Sequence, residues 1–235
     1  MLCKIAELNV NVPEAGGLSP RCQEYLLDTV AEADITIDSK QYRADRYPCN
    51  TSVEIVAYME SAYQFYVKLL EFGGFYLHSS AVALNGRAFL FSAPSGTGKS
   101  THTRLWKNLF KKADIFNDDK PALRFVNGQW FAYGTPWSGK DGINQNLKVP
   151  LAGICFLKRG KQNQIRRMRE DEAAIHLLGQ TIRKELPIQS LDRLISHVEK
   201  LVAEIPVYEL HCLPDADAAR LSYETMRQGA EEIGL

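Results

Sequence analysis

The run Ala93-Pro94-Ser95-Gly96-Thr97-Gly98-Lys99-Ser100, continued by Thr101, has the residue types and spacing that can cradle phosphate. Glycines at 96 and 98 let the backbone turn its N–H groups toward phosphate oxygens, and a helix starting behind them adds the positive end of its dipole. Lys99 supplies a point charge for the outer phosphates, and the Ser100 hydroxyl is placed to bind magnesium. Ser95, Gly96, Thr97, Gly98, Lys99, Ser100 and Thr101 are therefore the candidate nucleotide-binding residues. The bland alternative is a Gly/Ser turn carrying an ordinary surface lysine. A Gly-Lys-Ser ending between a strand and a helix is far more specific than that.

Three further features can meet this loop. Asp118-Asp119 end a short strand-like stretch downstream of Lys99. Two adjacent carboxylates at a strand end can divide their work, one facing a metal and the other an acceptor hydroxyl. Taken alone, such a pair reads as a turn or a helix cap. His78 lies on the strand before the loop, which the Asn85-Gly86 turn pairs with the strand feeding the loop. A lone histidine is otherwise a structural residue. Gly134-Thr135-Pro136-Trp137-Ser138-Gly139-Lys140 is a loop whose Lys140 can neutralise phosphate, while Trp137 reads as core. Arg166, Arg167 and Arg169 read as a solvated face, and His102, His176, His197 and His211 have no metal spacing with one another.

These groups need a scaffold, and the patterning supplies one. Thr51 to Leu70 carries apolar residues at three- and four-residue steps, opens with Thr51 and Glu54 at capping-box spacing and ends at Gly73-Gly74. Two strands, Phe75–Leu84 and Arg87–Phe91, flank Asn85-Gly86, and two more, Ala122–Phe125 and Trp130–Tyr133, flank Asn127-Gly128. Asn-Gly between alternating runs is the strongest short hairpin signal. Helices are expected over Thr101–Phe110, Glu170–Lys184, Ser190–Glu204 and Asp215–Arg227. Further strands are expected over Asp114–Asn117, Leu151–Leu157 and Val207–Leu213. Residues 1–50 read as a small mixed unit, with strands over Lys4–Val12 and Ile35–Ile37 and a connector or short helix over Cys22–Ala33. Residues 51–235 read as the main α/β domain.

Composition narrows the class. The chain has 235 residues, 28 basic and 28 acidic, so its net charge is zero and a nucleic-acid partner is not indicated. Lys4 and Glu7 interrupt any secretory core at the N-terminus, and the longest apolar run, around Val149–Leu157, is too short to span a bilayer. Five dispersed cysteines with no C-x-x-C pair fit a reduced, cytoplasmic protein without structural zinc.

Leu77-His78-Ser79-Ser80-Ala81-Val82-Ala83-Leu84, the 94–101 loop and Asn117-Asp118-Asp119-Lys120-Pro121-Ala122-Leu123 together resemble the nucleotide-binding core shared by HPr kinase/phosphorylase and ATP-dependent phosphoenolpyruvate carboxykinase. The resemblance spans residues 73–160. It is similar in particular to small HPr-kinase-like proteins carrying the 134–140 stretch, some of which accompany peptide-maturation systems. The fold it implies is a P-loop core of this type, a mixed sheet with flanking helices and β-hairpins. It further implies Lys99 and Ser100 on phosphates and Mg²⁺, Asp119 on the metal, Asp118 as base for the acceptor hydroxyl, and His78 near the metal. The chain is far shorter than a carboxykinase and shows no oxaloacetate-binding arginine loop. It also lacks the C-terminal signature and regulatory domain of HPr kinases, so HPr is not implied as substrate.

The expected function is an ATP- and Mg²⁺-dependent kinase acting on a hydroxyl of a protein, peptide or small molecule, without nucleic-acid or membrane partners and with self-association left open. A nucleotide-binding scaffold or regulatory ATPase is the alternative, and a carboxykinase-type lyase the remoter one.

Overall fold

Two Asn-Gly turns set the register of the sheet. Asn85 and Asn127 have φ of 52° and 50°, and the glycines after them 76° and 83°, the left-handed pairs of a two-residue hairpin. They join β5 (Ser79–Leu84) to β6 (Arg87–Ser92), and β8 (Ala122–Val126) to β9 (Gln129–Tyr133). The structure, a computed structural model, describes residues 1–15, 17–182 and 186–234.

In chain order, β1 (Leu2–Ile5) and β2 (Leu8–Asn11) are followed by a 3₁₀ segment (Ser19–Tyr25), β3 (Ile35–Thr36), α1 (Val53–Leu69) and β4 (Gly74–Tyr76). After β5 and β6 come α2 (Lys99–Leu109) and β7 (Asp114–Asp119), then the β8–β9 hairpin. The remainder is β10 (Lys148–Arg159), β11 (Gln164–Arg167), α3 (Glu170–Gly179), α4 (Ile188–Glu204), β12 (Val207–Cys212) and α5 (Ala216–Glu232).

The main sheet is mixed, in the order β4-β8-β9-β10-β6-β5-β7, with β12 beside β10 and β11 beside β12. β10 runs parallel to β6 and β12 and antiparallel to β9. Alternation along β6 sends Phe89 and Phe91 to the face holding Trp106 and Met226, and Ala88 and Leu90 to the face holding Leu177, Leu194 and Val198. Thus α2 and α5 cover one face and α3 and α4 the other. A third cluster joins Ile5, Val10 and Tyr25 of the first fifty residues to Phe65 and Tyr66 of α1 and to Trp137.

Several local expectations change. The strand expected over Lys4–Val12 is a hairpin, β1 with β2, because Ala6 and Glu7 take φ of 50° and 66° and reverse the chain. The first long helix is capped by Ser52, whose hydroxyl accepts from the Ile55 N–H, and not by Thr51. The strand expected over Phe75–Leu84 breaks into β4 and β5 at Leu77-His78, since β4 pairs with β8 and β5 with β6. Gln164–Arg167, where no strand is expected, is β11 paired with β12; Arg166, Arg167 and Arg169 are exposed, as expected of a solvated face, and Arg166 bonds Glu172 and Glu209. The helix expected over Glu170–Lys184 runs to Gly179, and its last two positions, Arg183 and Lys184, lie outside the described residues. Among the described residues no helix is long and apolar enough to cross a membrane.

His102 illustrates how the core titrates. It is buried, its Nε2 lies 3.0 Å from Ser222 Oγ, and its ring sits 4.7 Å from that of Phe91. Burial pushes its pKa down from 6.5 to about 4. The native state then binds fewer protons than the unfolded chain between those values. His102 therefore contributes stability fully above pH 6.5 and loses it as pH falls toward 4, by roughly 3 kcal/mol. Urea unfolding measured across this window should show the decline, and His102→Leu should flatten that part of the profile.

Candidate functional site

The site grows from the register of three antiparallel-linked strands. Ser79, the first residue of β5, is opposite Ser92 at the end of β6 and also opposite Asp119 at the end of β7. The glycine-containing loop of residues 93–98 leaves β6 at that same edge, so the loop, the acidic pair and the residue preceding β5 must converge. That residue is His78. Its Nε2 lies 3.2 Å from Asp119 Oδ1, its Nδ1 lies 3.1 Å from Gln180 Oε1, and its backbone N–H donates to the Gln180 carbonyl at 2.7 Å.

Gly96 and Gly98 take φ of 77° and 123°, and a Cβ built on either meets nothing within 4 Å. Backbone conformation, not crowding, is what asks for glycine here. Gly98 then caps α2, placing Lys99 and Ser100 in its first turn. Lys99 Nζ donates to the Ala93 carbonyl at 2.8 Å. Burial lowers the pKa of this amine, and the charges of Asp119 and Asp118 oppose that shift.

The two carboxylates face different partners. Ser100 Oγ donates to Asp118 Oδ2 at 3.0 Å, whereas Asp119 meets His78 and an ion pair from Lys120. The resemblance implies Asp119 beside Ser100, but the contact falls to Asp118 because successive residues of a strand project to opposite faces. Burial alone would raise the pKa of Asp119; the hydrogen bond from His78 and the charge of Lys120 bring it down to about 2. Asp119 also holds φ at 118°, a conformation that costs of order 1–3 kcal/mol in a residue with a side chain.

The loop from Gly134 to Asn146 runs beside β7. Isolated bridges tie Asp119 to Ser138 and Asn117 to Asn144, and the Gly139 N–H donates to the Asp118 carbonyl. Gly134 is a site of close approach, since a Cβ there would lie 1.9 Å from the Gln145 carbonyl oxygen. Trp137 is core, stacked on Phe65 with centroids 4.7 Å apart. Lys140 is exposed at the rim of the cavity.

One cavity of about 900 Å³ is lined by His78, Ser95, Lys99, Ser100, Asp118, Asp119 and Lys140. Thr97 alone among the candidate residues borders only the neighbouring hollows. Sequence reasoning missed four participants. Arg21 Nη1 donates to Ser138 Oγ at 2.6 Å and to the Ser138 and Gly139 carbonyls, and Tyr58 Oη donates to the Ser138 carbonyl at 2.6 Å. Lys120 pairs with Asp119, and Gln180 holds His78. Lys120 directly follows the acidic pair and was the one findable locally; the others reach the site from distant segments.

A second gathering of Glu172, His176 and Glu209 places its ligand atoms within 4.8 Å of one another. Arg166 bonds both carboxylates and Lys158 pairs with Glu209, so their charge is already compensated. This is an ion-pair network between α3, β10, β11 and β12.

No curated protein matches the sequence. Among solved structures the chain is similar to the Hpr(Ser) kinase/phosphatase from Coxiella burnetii, at 12% identity over 68% of this chain and 92% of that one, with a TM-score of 0.40. The model of the family described as SynChlorMet cassette protein ScmC matches residues 46–215, most of the chain, including β5, β6, β7 and the loops that follow β6 and β9. The chain belongs to that family.

Proposed function

We propose that the protein is an ATP- and Mg²⁺-dependent kinase that transfers the γ-phosphoryl group to a hydroxyl of a protein, peptide or small molecule. The observation that supports it most is the convergence on one cavity of a glycine-turned loop with Lys99 and Ser100, two carboxylates and a histidine. The donor set fits the metal. The Ser100 hydroxyl at the start of α2 donates to the Asp118 carboxylate at 3.0 Å, and hydroxyl and carboxylate oxygens brought together this way suit Mg²⁺. Mg²⁺ bound there would neutralise charge on the outer phosphates.

The chain's own groups divide the remaining work. Loop N–H groups and Lys99 would bind the phosphates and meet the charge that spreads over the transferred group. Asp119, held ionised beside His78 and Lys120, would accept the hydrogen of the acceptor hydroxyl and aim its oxygen. In a loose transition state that proton leaves late, so orientation matters more than high basicity. The roles of the two carboxylates are thereby exchanged relative to those the resemblance implies.

Two substitutions separate the roles. Asp118→Asn should raise the Mg²⁺ concentration needed for half-maximal transfer and weaken Mg-ATP binding in calorimetry. Asp119→Asn should leave Mg-ATP binding intact and lower transfer from labelled ATP into a serine-peptide library, by about a hundred- to ten-thousandfold if it acts as the positioned base. The opposite pattern would restore the original assignment. Absence of ATP binding by the unaltered protein would remove the kinase reading altogether.

A further inference from the structure

A second cavity, of about 400 Å³, lies on the flank of the phosphate loop away from His78. It shares Gly96, Gly98 and Thr101 with the larger cavity, so the two communicate across the start of α2. Its outer walls are Leu105 from α2, Leu157 and Arg159 from the end of β10, and Leu213-Pro214 from the turn between β12 and α5. The size is that of a small-ligand pocket, and these walls are mainly aliphatic.

The walls are fixed. Leu213 N–H donates to Asn163 Oδ1 at 2.8 Å, and Asn163 Nδ2 donates to Asp215 Oδ1 at 2.9 Å. Asp215 in turn accepts from the Ala218 N–H and caps α5. Arg159 Nη2 donates to the Gly96 carbonyl at 2.7 Å, setting a guanidinium at the border between slot and loop. Yet Leu213 remains 39% exposed, an apolar side chain on the rim of a pinned, open slot.

Phosphate direction says what such a slot would take. The outer phosphates belong at Lys99 and Ser100, facing the carboxylates, while loop N–H groups wrap the inner ones. The rest of the nucleotide must leave on the side away from His78 and Asp119, which is across Thr101. A neighbouring hollow of about 560 Å³ shares Leu157 and Arg159 with the slot, but it meets the large cavity at Ser95 and Gly96 and is bordered by Gln180, the partner of His78, whereas Leu105 and Leu213 line the slot alone.

We propose that the slot between α2 and the β12–α5 turn takes the nucleoside end of the bound nucleotide, with a purine ring set between Leu157 and Leu213 and beside Arg159. This rests on the nucleotide reading above and adds the position of the base. The experiment compares Mg-ATP with Mg-tripolyphosphate, which carries the phosphates without a nucleoside, by calorimetry on the full chain. Leu213→Asn should weaken ATP binding roughly tenfold and leave tripolyphosphate binding unchanged. In a second variant, Leu213→Trp, indole fluorescence should respond to ATP and not to tripolyphosphate. Unchanged ATP affinity in Leu213→Asn, equal weakening of both ligands, or a tryptophan silent to bound ATP would each overturn the assignment while leaving the phosphate site standing. If the unaltered chain bound neither ligand, the nucleotide reading itself would fall, and this assignment with it.

Discussion

Lys99→Met is expected to lower phosphoryl transfer about a hundred- to a thousandfold, the 2.7–4 kcal/mol scale of one preorganised donor to developing charge. Methionine keeps the aliphatic stem in its half-buried slot and removes only the ammonium. The one hydrogen bond lost, to the Ala93 carbonyl, is worth about 1 kcal/mol to folding, which shifts the unfolding temperature by roughly 2–4 °C. A large kinetic effect on a nearly unchanged fold is therefore the signature. Lys140→Met gives the comparison, because Lys140 is exposed at the cavity rim and its charge is screened by water. Its effect should be much smaller. Equal turnover in Lys99→Met and the unaltered protein, measured by single-turnover transfer, would exclude the loop as the phosphate site.

Trp137→Ala is expected to have the largest effect on stability, about 3–5 kcal/mol. The side chain is fully buried, its indole stacks on Phe65, meets Tyr66 edge-on at 5.6 Å, and donates from Nε1 to Ser61 Oγ at 3.0 Å. Truncation leaves a cavity inside the cluster that joins the first fifty residues to α1, and it removes the hydrogen bond that the Ser61 hydroxyl accepts, leaving only its donation to the Tyr58 carbonyl. Thermal unfolding should drop by about 10 °C or more. The damage should also reach chemistry. Ser138, the next residue, receives Arg21 and Tyr58 and bridges to Asp119, so a loosened Trp137 frees the wall beside the carboxylate. Trp137→Phe, which keeps a ring in the stack, should retain most of both. A Trp137→Ala protein as stable as the parent would mean that the loop is not anchored through this side chain.

Legibility in the sequence followed the range of the interaction. The glycine-turned loop at 93–100, both Asn-Gly hairpins and the long helices were readable because each is set by backbone conformation or periodicity within a few residues. The N-terminal hairpin was not, since Ala6 and Glu7 reverse the chain with φ above 0° without the glycine or asparagine that announces such a turn. β11 was hidden because its arginines do face solvent, and only pairing with β12, more than forty positions away, makes the segment a strand.

By itself, then, the sequence determined that a glycine-containing loop ending in Lys99-Ser100 stands between a strand and a helix, and that a histidine and an acidic pair flank it. Only the tertiary structure decided how they meet. The pairing of β5 with both β6 and β7 set the edge at which they converge, and strand alternation chose Asp118 for Ser100 and Asp119 for His78. Packing of the first fifty residues then brought Arg21 to the loop 117 positions away. The physical reason is that strand register and packing are long-range quantities, fixed by which apolar faces can be buried together, and no local pattern encodes them.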